Sequence, residues 1–183
     1  MDDRDLEKEH ANLSVKDSNA LHDAARNGEL ETVRYLIKEG VNINSADKSG
    51  WTSLHHAAYG GSSRVVQYLI NNGANIHAED TVCGRKPVHI AARESHIGIM
   101  KLFLNKGTRI SDAGGNSWTL LHYVAWTGNL EAAKFLINEG ADIHAKDATN
   151  GKKPIHTAAW EGHANIVVSA QWSGRKRLNK QNC

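Results

Sequence analysis

The chain has 183 residues, 40% of them hydrophobic and 23% charged, with a formal net charge of +2; that length suits one domain with a continuous core. No long apolar run occurs, Ile166-Val167-Val168 being among the longest, which excludes a membrane-spanning helix and a secretory signal. Two cysteines, Cys83 and Cys183, imply no disulfide framework, so a reducing, cytosol-like compartment is expected.

Residues 1–17 hold six acids, three bases and few large apolar groups, a composition that predicts a frayed helix or disorder. From residue 19 the sequence becomes periodic. A histidine returns at His22, His55, His89, His122 and His156, at spacings of 33, 34, 33 and 34 residues. A small pair follows each one: Ala24-Ala25, Ala57-Ala58, Ala91-Ala92, Val124-Ala125 and Ala158-Ala159. Gly40, Gly73, Gly107, Gly140 and Gly174 each stand 18 residues after their histidine. A fixed period in this range signals stacked supersecondary units.

At 100° per residue, the helix around each histidine places Leu21, Ala24 and Ala25 on one side, and likewise Leu54, Ala57 and Ala58. That side is flat enough for a neighbouring backbone to approach. Ser18 or Asn19 is placed to cap the first copy. Gly28, Gly61, Gly128 and Gly162, with Ser95 in the third unit, end this helix. A second helix carries large apolar residues at helical spacing, such as Leu30, Val33, Leu36 and Ile37. It stops at the closing glycine and leads into a short extended piece expected to bury Ile43, Ile76, Ile110 or Ile143.

A helix-turn-helix plus hairpin of about 33 residues, with Trp51-Thr52-Ser53-Leu54-His55 and Gly73-Ala74-Asn75-Ile76 in these places, resembles the ankyrin repeat. The resemblance covers residues 19 to about 174 and implies an all-α solenoid of helix-turn-helix units joined by β-hairpin loops. First helices would line a concave groove and second helices its convex back. The expected organisation is a charged segment over 1–17, a repeat domain over 18–174 and a basic tail over 175–183. The five repeats fall at about 19–49, 50–83, 84–116, 117–150 and 151–174. The fifth replaces large residues of its outer helix with Ala170-Gln171. It reads either as a polar terminal cap or as a truncated, fraying end. Trp172 is expected to be exposed or folded back over the stack.

A second periodicity of 67 residues is superimposed. Repeats two and four share Trp-Thr-x-Leu-His at Trp51 and Trp118, while repeats three and five share Gly84-Arg85-Lys86-Pro87 and Gly151-Lys152-Lys153-Pro154. The hairpins of the latter pair carry an extra residue, which accounts for the alternation of 33 and 34.

Positions one, four and five after each histidine are expected to point away from the packing side. The plus-four row reads Arg26, Tyr59, Arg93, Trp126, Trp160, and the plus-one row reads Asp23, His56, Ile90, Tyr123, Thr157. The hairpin position four before the histidine reads Trp51, Arg85, Trp118, Lys152. The resemblance implies that hairpin tips and inner-helix positions contact a partner. On that basis Trp51, Tyr59, Arg85, Arg93, Trp118, Tyr123, Trp126, Lys152 and Trp160 form the expected binding strip, rich in hot-spot residue types. The occupant would be a segment of another protein, acidic and apolar in character, and a monomer is expected. The alternative is an architectural ladder in which Arg85 lies between Trp51 and Trp118, and Arg93 between Tyr59 and Trp126, in cation–π contacts of about 0.5–2 kcal/mol.

Eleven histidines invite a metal, yet the periodic ones stand roughly 10 Å apart in such a stack, too far to share one ion. Their expected role is structural, joining hairpin backbone or threonine groups as in Thr52/His55 and Thr119/His122. In repeats three and five Lys86 and Lys153 replace that threonine, so one such bond is expected to be lost. Neither a phosphate-cradling loop nor His-Glu-x-x-His occurs, so the chain is read as non-catalytic, without cofactor or metal. The body of the chain suggests neither nucleic acid nor a membrane surface. The tail, with Arg175-Lys176-Arg177 and Lys180, leaves open a nucleic-acid adaptor role or a nuclear address, and delivery into a host cell stays open beside a cytoplasmic location.

Overall fold

The computed structural model describes residues 18–115 and 117–167; the expectations for 1–17, for Ala170, Gln171 and Trp172, and for the basic tail lie outside these residues. The helices are α1 (18–27), α2 (Leu30–Lys38), α3 (Ser53–Gly60), α4 (Ser63–Asn71), α5 (Pro87–Arg93), α6 (Ile97–Asn105), α7 (Leu120–Thr127), α8 (Leu130–Asn138), α9 (Pro154–Trp160) and α10 (164–167). They pair into helix-turn-helix units. Inner helix α3 packs on α5, α5 on α7 and α7 on α9, while outer α2 packs on α4 and α4 on α6. This is the all-α solenoid expected. None of the described helices is long and apolar enough to cross a membrane.

One continuous core runs through the stack. Leu54, Leu69, Phe103, Leu120 and Leu136 are fully buried, and each such side chain contributes roughly 1.5–3 kcal/mol through removal from water. The small pairs are equally buried: Ala57, Ala58, Ala91, Ala92, Val124 and Ala125 are all at 0% exposure. Their size lets consecutive inner helices approach closely. Inner helices end as expected, with Gly28, Gly61, Gly128 and Gly162 at φ of 78–81° and Ser95 forced to 62°.

Two local expectations are corrected. Residues 18 and 19 are already helical, so neither Ser18 nor Asn19 stands at a cap. The isoleucines Ile43, Ile76, Ile110 and Ile143 are only half-buried against the core, and deep burial falls instead to Ala74, Thr108 and Ala141. These follow the closing glycines directly. Their N–H groups bond back to Leu69, Phe103 and Leu136 carbonyls at 3.0, 3.1 and 2.9 Å, which pulls their side chains under the outer helix.

The hairpins are minimal. Isolated bridges join Ala46 to Thr52 and Ala113 to Thr119. In each hairpin one N–H closes the loop: Asp47 donates to Trp51, Asp80 to Arg85, Gly114 to Trp118 and Asp147 to Lys152. The spans alternate between four and five residues, and the extra residue is the origin of the 33/34 alternation.

The histidine row welds hairpins to helices. The N–H groups of Thr52, Lys86, Thr119 and Lys153 donate to Nδ1 of His55, His89, His122 and His156 at 2.9–3.2 Å. Nδ1 is therefore an acceptor, and Nε2 carries the proton. Nε2–H of His22, His55, His89 and His122 donates to the carbonyl of Ser45, Arg85, Asp112 and Lys152 respectively. Each ring thus ties its own helix to an adjoining loop. The threonine hydroxyls of Thr52 and Thr119 add a bond to Nδ1. In repeat three that bond is lost as expected, and Lys86 instead pairs with Asp112 at 3.3 Å. Burial holds His55 and His122 below the usual histidine range and lowers His89 to about 4.

Candidate functional site

Each hairpin tip folds over the N-terminal turn of an inner helix, and this sets the exposure of every expected site residue. The plus-one row divides: Asp23 is exposed and His56 half-buried, while Ile90, Tyr123 and Thr157 are buried, Tyr123 at 7% exposure. The plus-four row, one turn further along, emerges. Trp126 is 42% and Trp160 80% exposed, Arg26 is exposed, and Tyr59 and Arg93 are half-buried. The reading of both rows as outward-facing therefore holds for the plus-four row and fails in the plus-one row at Ile90, Tyr123 and Thr157.

The hairpin tryptophans behave alike across the 67-residue duplication. Trp51 stacks on His55 at 6.0 Å and meets His56 edge-on at 5.3 Å; Trp118 stacks on His122 at 6.0 Å and meets Tyr123 edge-on at 5.3 Å. Both are half-buried. The expected cation–π contacts of Arg85 with these rings do not form. The fully buried carboxylate of Asp80 takes Arg85 Nε at 2.6 Å, a bond far stronger than a ring contact. Arg93 lies over Tyr59 at 5.8 Å and pairs with Glu94 at 2.8 Å. Arg26 also lies over the Tyr59 ring, at 4.5 Å, and Lys152 lies over Trp160 at 4.8 Å.

Asp80 belongs to a second row that sequence reading missed. Asp47 accepts the N–H groups of Ser49 and Trp51 at 2.8 and 2.9 Å. Asp80 accepts those of Cys83 and Arg85 at 2.8 and 3.2 Å, and Asp147 those of Asn150 and Lys152 at 3.0 and 3.2 Å. Burial pushes the Asp80 carboxyl up, but these N–H groups and the Arg85 guanidinium outweigh it and hold the group below the usual carboxylate range. The signal was available: an aspartate three or four residues before Gly50, Gly84 and Gly151. The corresponding position in the remaining hairpin is Gly114.

Between α5 and α7 a concavity of about 340 Å³ opens, lined by Cys83, Arg85, Arg93, Trp118, Tyr123 and Trp126. Five of the nine expected residues meet here. Trp51 and Tyr59 lie against each other at 5.9 Å, and Lys152 and Trp160 form a separate pair. Cys83 is a free cysteine on the wall of this site. Its carbonyl accepts the Gly115 N–H at 2.7 Å, tying two hairpin tips together beside the opening. Among the described residues no group of three histidine, cysteine or acidic side chains is placed to hold a metal.

A family model described as ankyrin repeats (3 copies) matches residues 4–80 and 74–147. The Caenorhabditis elegans transient receptor potential cation channel subfamily A member 1 homolog is 30% identical over 164 residues, 89% of this chain and 13% of that protein. Human ankyrin repeat and SOCS box protein 3 is 32% identical over 82 residues, 44% of this chain and 16% of its own length. Mouse protein phosphatase 1 regulatory subunit 27 is 45% identical over 47 residues, 26% of this chain and 30% of its own. The chain thus spans well under a third of the first two relatives and at most about a third of the last.

Proposed function

This chain belongs to the ankyrin-repeat family, and we propose that it is a non-catalytic protein-interaction module that takes a partner segment across the concavity between α5 and α7. Ankyrin repeats are in general modules for binding other proteins. The observation that supports this site is the convergence of Trp118, Tyr123, Trp126, Arg85 and Arg93 on one open concavity. Packing does not call for Trp126 there, because the buried side of α7 is filled by Leu120, Leu121, Val124 and Ala125. Aromatic and arginine side chains around a concave centre are what interface hot spots are made of. Trp160 with Lys152 extends the same row towards the end of the stack.

A second reading, an architectural strip stiffened by its own contacts, is favoured at the other end. There Tyr59 meets both Arg26 and Arg93, and Trp51 packs on Tyr59 and His56. The two readings divide the strip: before α5, Trp51 and Tyr59 are held by internal contacts, and beyond it Trp126 and Trp160 stand exposed. The test is capture of partners on the native chain and on the Trp126→Ala/Trp160→Ala double variant. The variant should keep its helical circular dichroism and lose the captured partner. Equal capture by a folded variant would remove the groove as the site.

A further inference from the structure

The concavity between α5 and α7 differs chemically from the rest of the stack. In three hairpins an aspartate accepts the N–H of the residue four before the histidine: Trp51, Arg85 or Lys152. Asp47 also reaches the plus-one side chain, His56 Nε2, at 3.1 Å. The equivalent pair in the other half of the duplication is Gly114 and Tyr123. A Cβ on Gly114 would lie 3.1 Å from Tyr123 Oη, so the phenol stands directly beside the position from which an aspartate would project. None is present. Tyr123 is more than nine-tenths buried, yet neither its hydroxyl nor the Trp118 N–H has a partner among the described residues. Arg85 and Arg93 bond their own carboxylates through Nε alone, which leaves their terminal nitrogens uncommitted. The lining contains donors, aromatic walls and a thiol, but no carboxylate.

We infer that this concavity seats the carboxylate of an aspartate or glutamate in the bound segment, held by the Tyr123 hydroxyl and the terminal guanidinium nitrogens of Arg85 and Arg93. The neighbouring apolar residue of that segment lies on Trp118 and Trp126. The partner supplies the acceptor that the chain's own hairpins supply elsewhere, because charge-assisted bonds to a half-enclosed carboxylate are the strong ones. Weaker binding of a neutral analogue follows from the same geometry, since its amide oxygen lacks the charge that strengthens bonds to guanidinium groups. This inference rests on the proposed function and adds the chemistry of the anchor.

The experiment selects linear twelve-residue peptides from a displayed library on the full chain and titrates the enriched synthetic peptides. Enriched sequences should carry an aspartate or glutamate beside an apolar residue. Changing that acid to its amide should weaken binding tenfold or more. Arg93→Gln should cause a similar loss and shrink the effect of the amide change, Arg85 and Tyr123 still holding the acid. Gly114→Asp, which restores the hairpin's own carboxylate, should abolish binding, and Gly114→Asn, which fills the same space without the charge, should weaken it less. Arg93 carries this test because its pair with Glu94 is partly exposed, whereas removing Arg85 would strand the buried Asp80. Peptides that lose affinity with Trp126→Ala but ignore the amide change and Arg93→Gln would overturn the carboxylate and leave the groove standing. Peptides indifferent to Trp126→Ala, or no enrichment at all, would overturn both.

Discussion

Lowering the pH from 7 to 5 should destabilise the stack by an amount set chiefly by the histidine row. His89 is at 0% exposure, accepts the Lys86 N–H at Nδ1 and donates to the Asp112 carbonyl. Protonating Nδ1 would set two donors face to face in a fully buried site. Its pKa accordingly falls from 6.5 to about 4, mainly through burial. The unfolded chain therefore binds the proton first, so stability is fully present above the unfolded value and is lost as pH falls from about 6.5 towards 4. At 1.36 kcal/mol per pKa unit the limiting loss is about 3 kcal/mol, of which about 2 kcal/mol is gone by pH 5. His55 and His122 are shifted in the same direction and add to it. The lowered carboxyls of Asp47, Asp80 and Asp147 extend the loss below about pH 4, since they too bind protons more readily when unfolded. Urea unfolding followed by far-ultraviolet circular dichroism at pH 7 and pH 5 measures this. His89→Gln, which can still accept the Lys86 N–H in the manner of a capping box, should flatten the dependence. Equal pH slopes for the native chain and His89→Gln would refute the reasoning.

Asp80→Asn should cost about 3 kcal/mol, because it leaves the half-enclosed Arg85 guanidinium without its buried partner; the urea midpoint reports it. Gly60→Ala would drive a methyl group into the Arg26 carbonyl of the preceding unit, and overpacking of this kind should lower stability by about 2–3 kcal/mol. Ser95→Gly relieves a left-handed residue at φ 62°, giving back about 0.5–1 kcal/mol after the glycine's unfolded-state entropy is counted. A lower melting temperature for that variant would show that the Ser95–Thr127 hydroxyl contact at 3.3 Å outweighs the backbone strain.

The fold was legible because repetition turns weak local signals into strong ones. One histidine at helical spacing from an alanine pair says little, and five in register say that the same unit is stacked. Helix ends were legible for a related reason: a residue at positive φ is nearly always glycine, so Gly28, Gly61, Gly128 and Gly162 mark them, and Ser95 is found only by alignment with the others. The isoleucines were misjudged because hydrophobicity alone ranks Ile76 above Ala74. The chain reversal at Gly73, closed by the Ala74 N–H to Leu69 bond, decides which of them goes under the helix.

The binding strip was legible by row but not by residue, and competition between partners explains the difference. A helical-wheel angle puts plus-one and plus-four on the same open side, but the hairpin lies over the first turn only, so Tyr123 is covered and Trp126 is not. Arg85 was equally available to a ring or to a carboxylate, and the buried Asp80 wins because a charge-assisted bond outweighs a cation–π contact. The same logic makes Gly114 informative. Trp51 and Trp118 keep one geometry across the two halves of the duplication, so drift of the fold cannot account for the change from Asp47–His56 to Gly114–Tyr123. It removes a carboxylate, keeps a buried donor and opens space beside two guanidinium groups. A purely architectural strip gains nothing from that exchange, since it forfeits bonds its twin retains. A surface that receives a carboxylate from outside gains the place to put it.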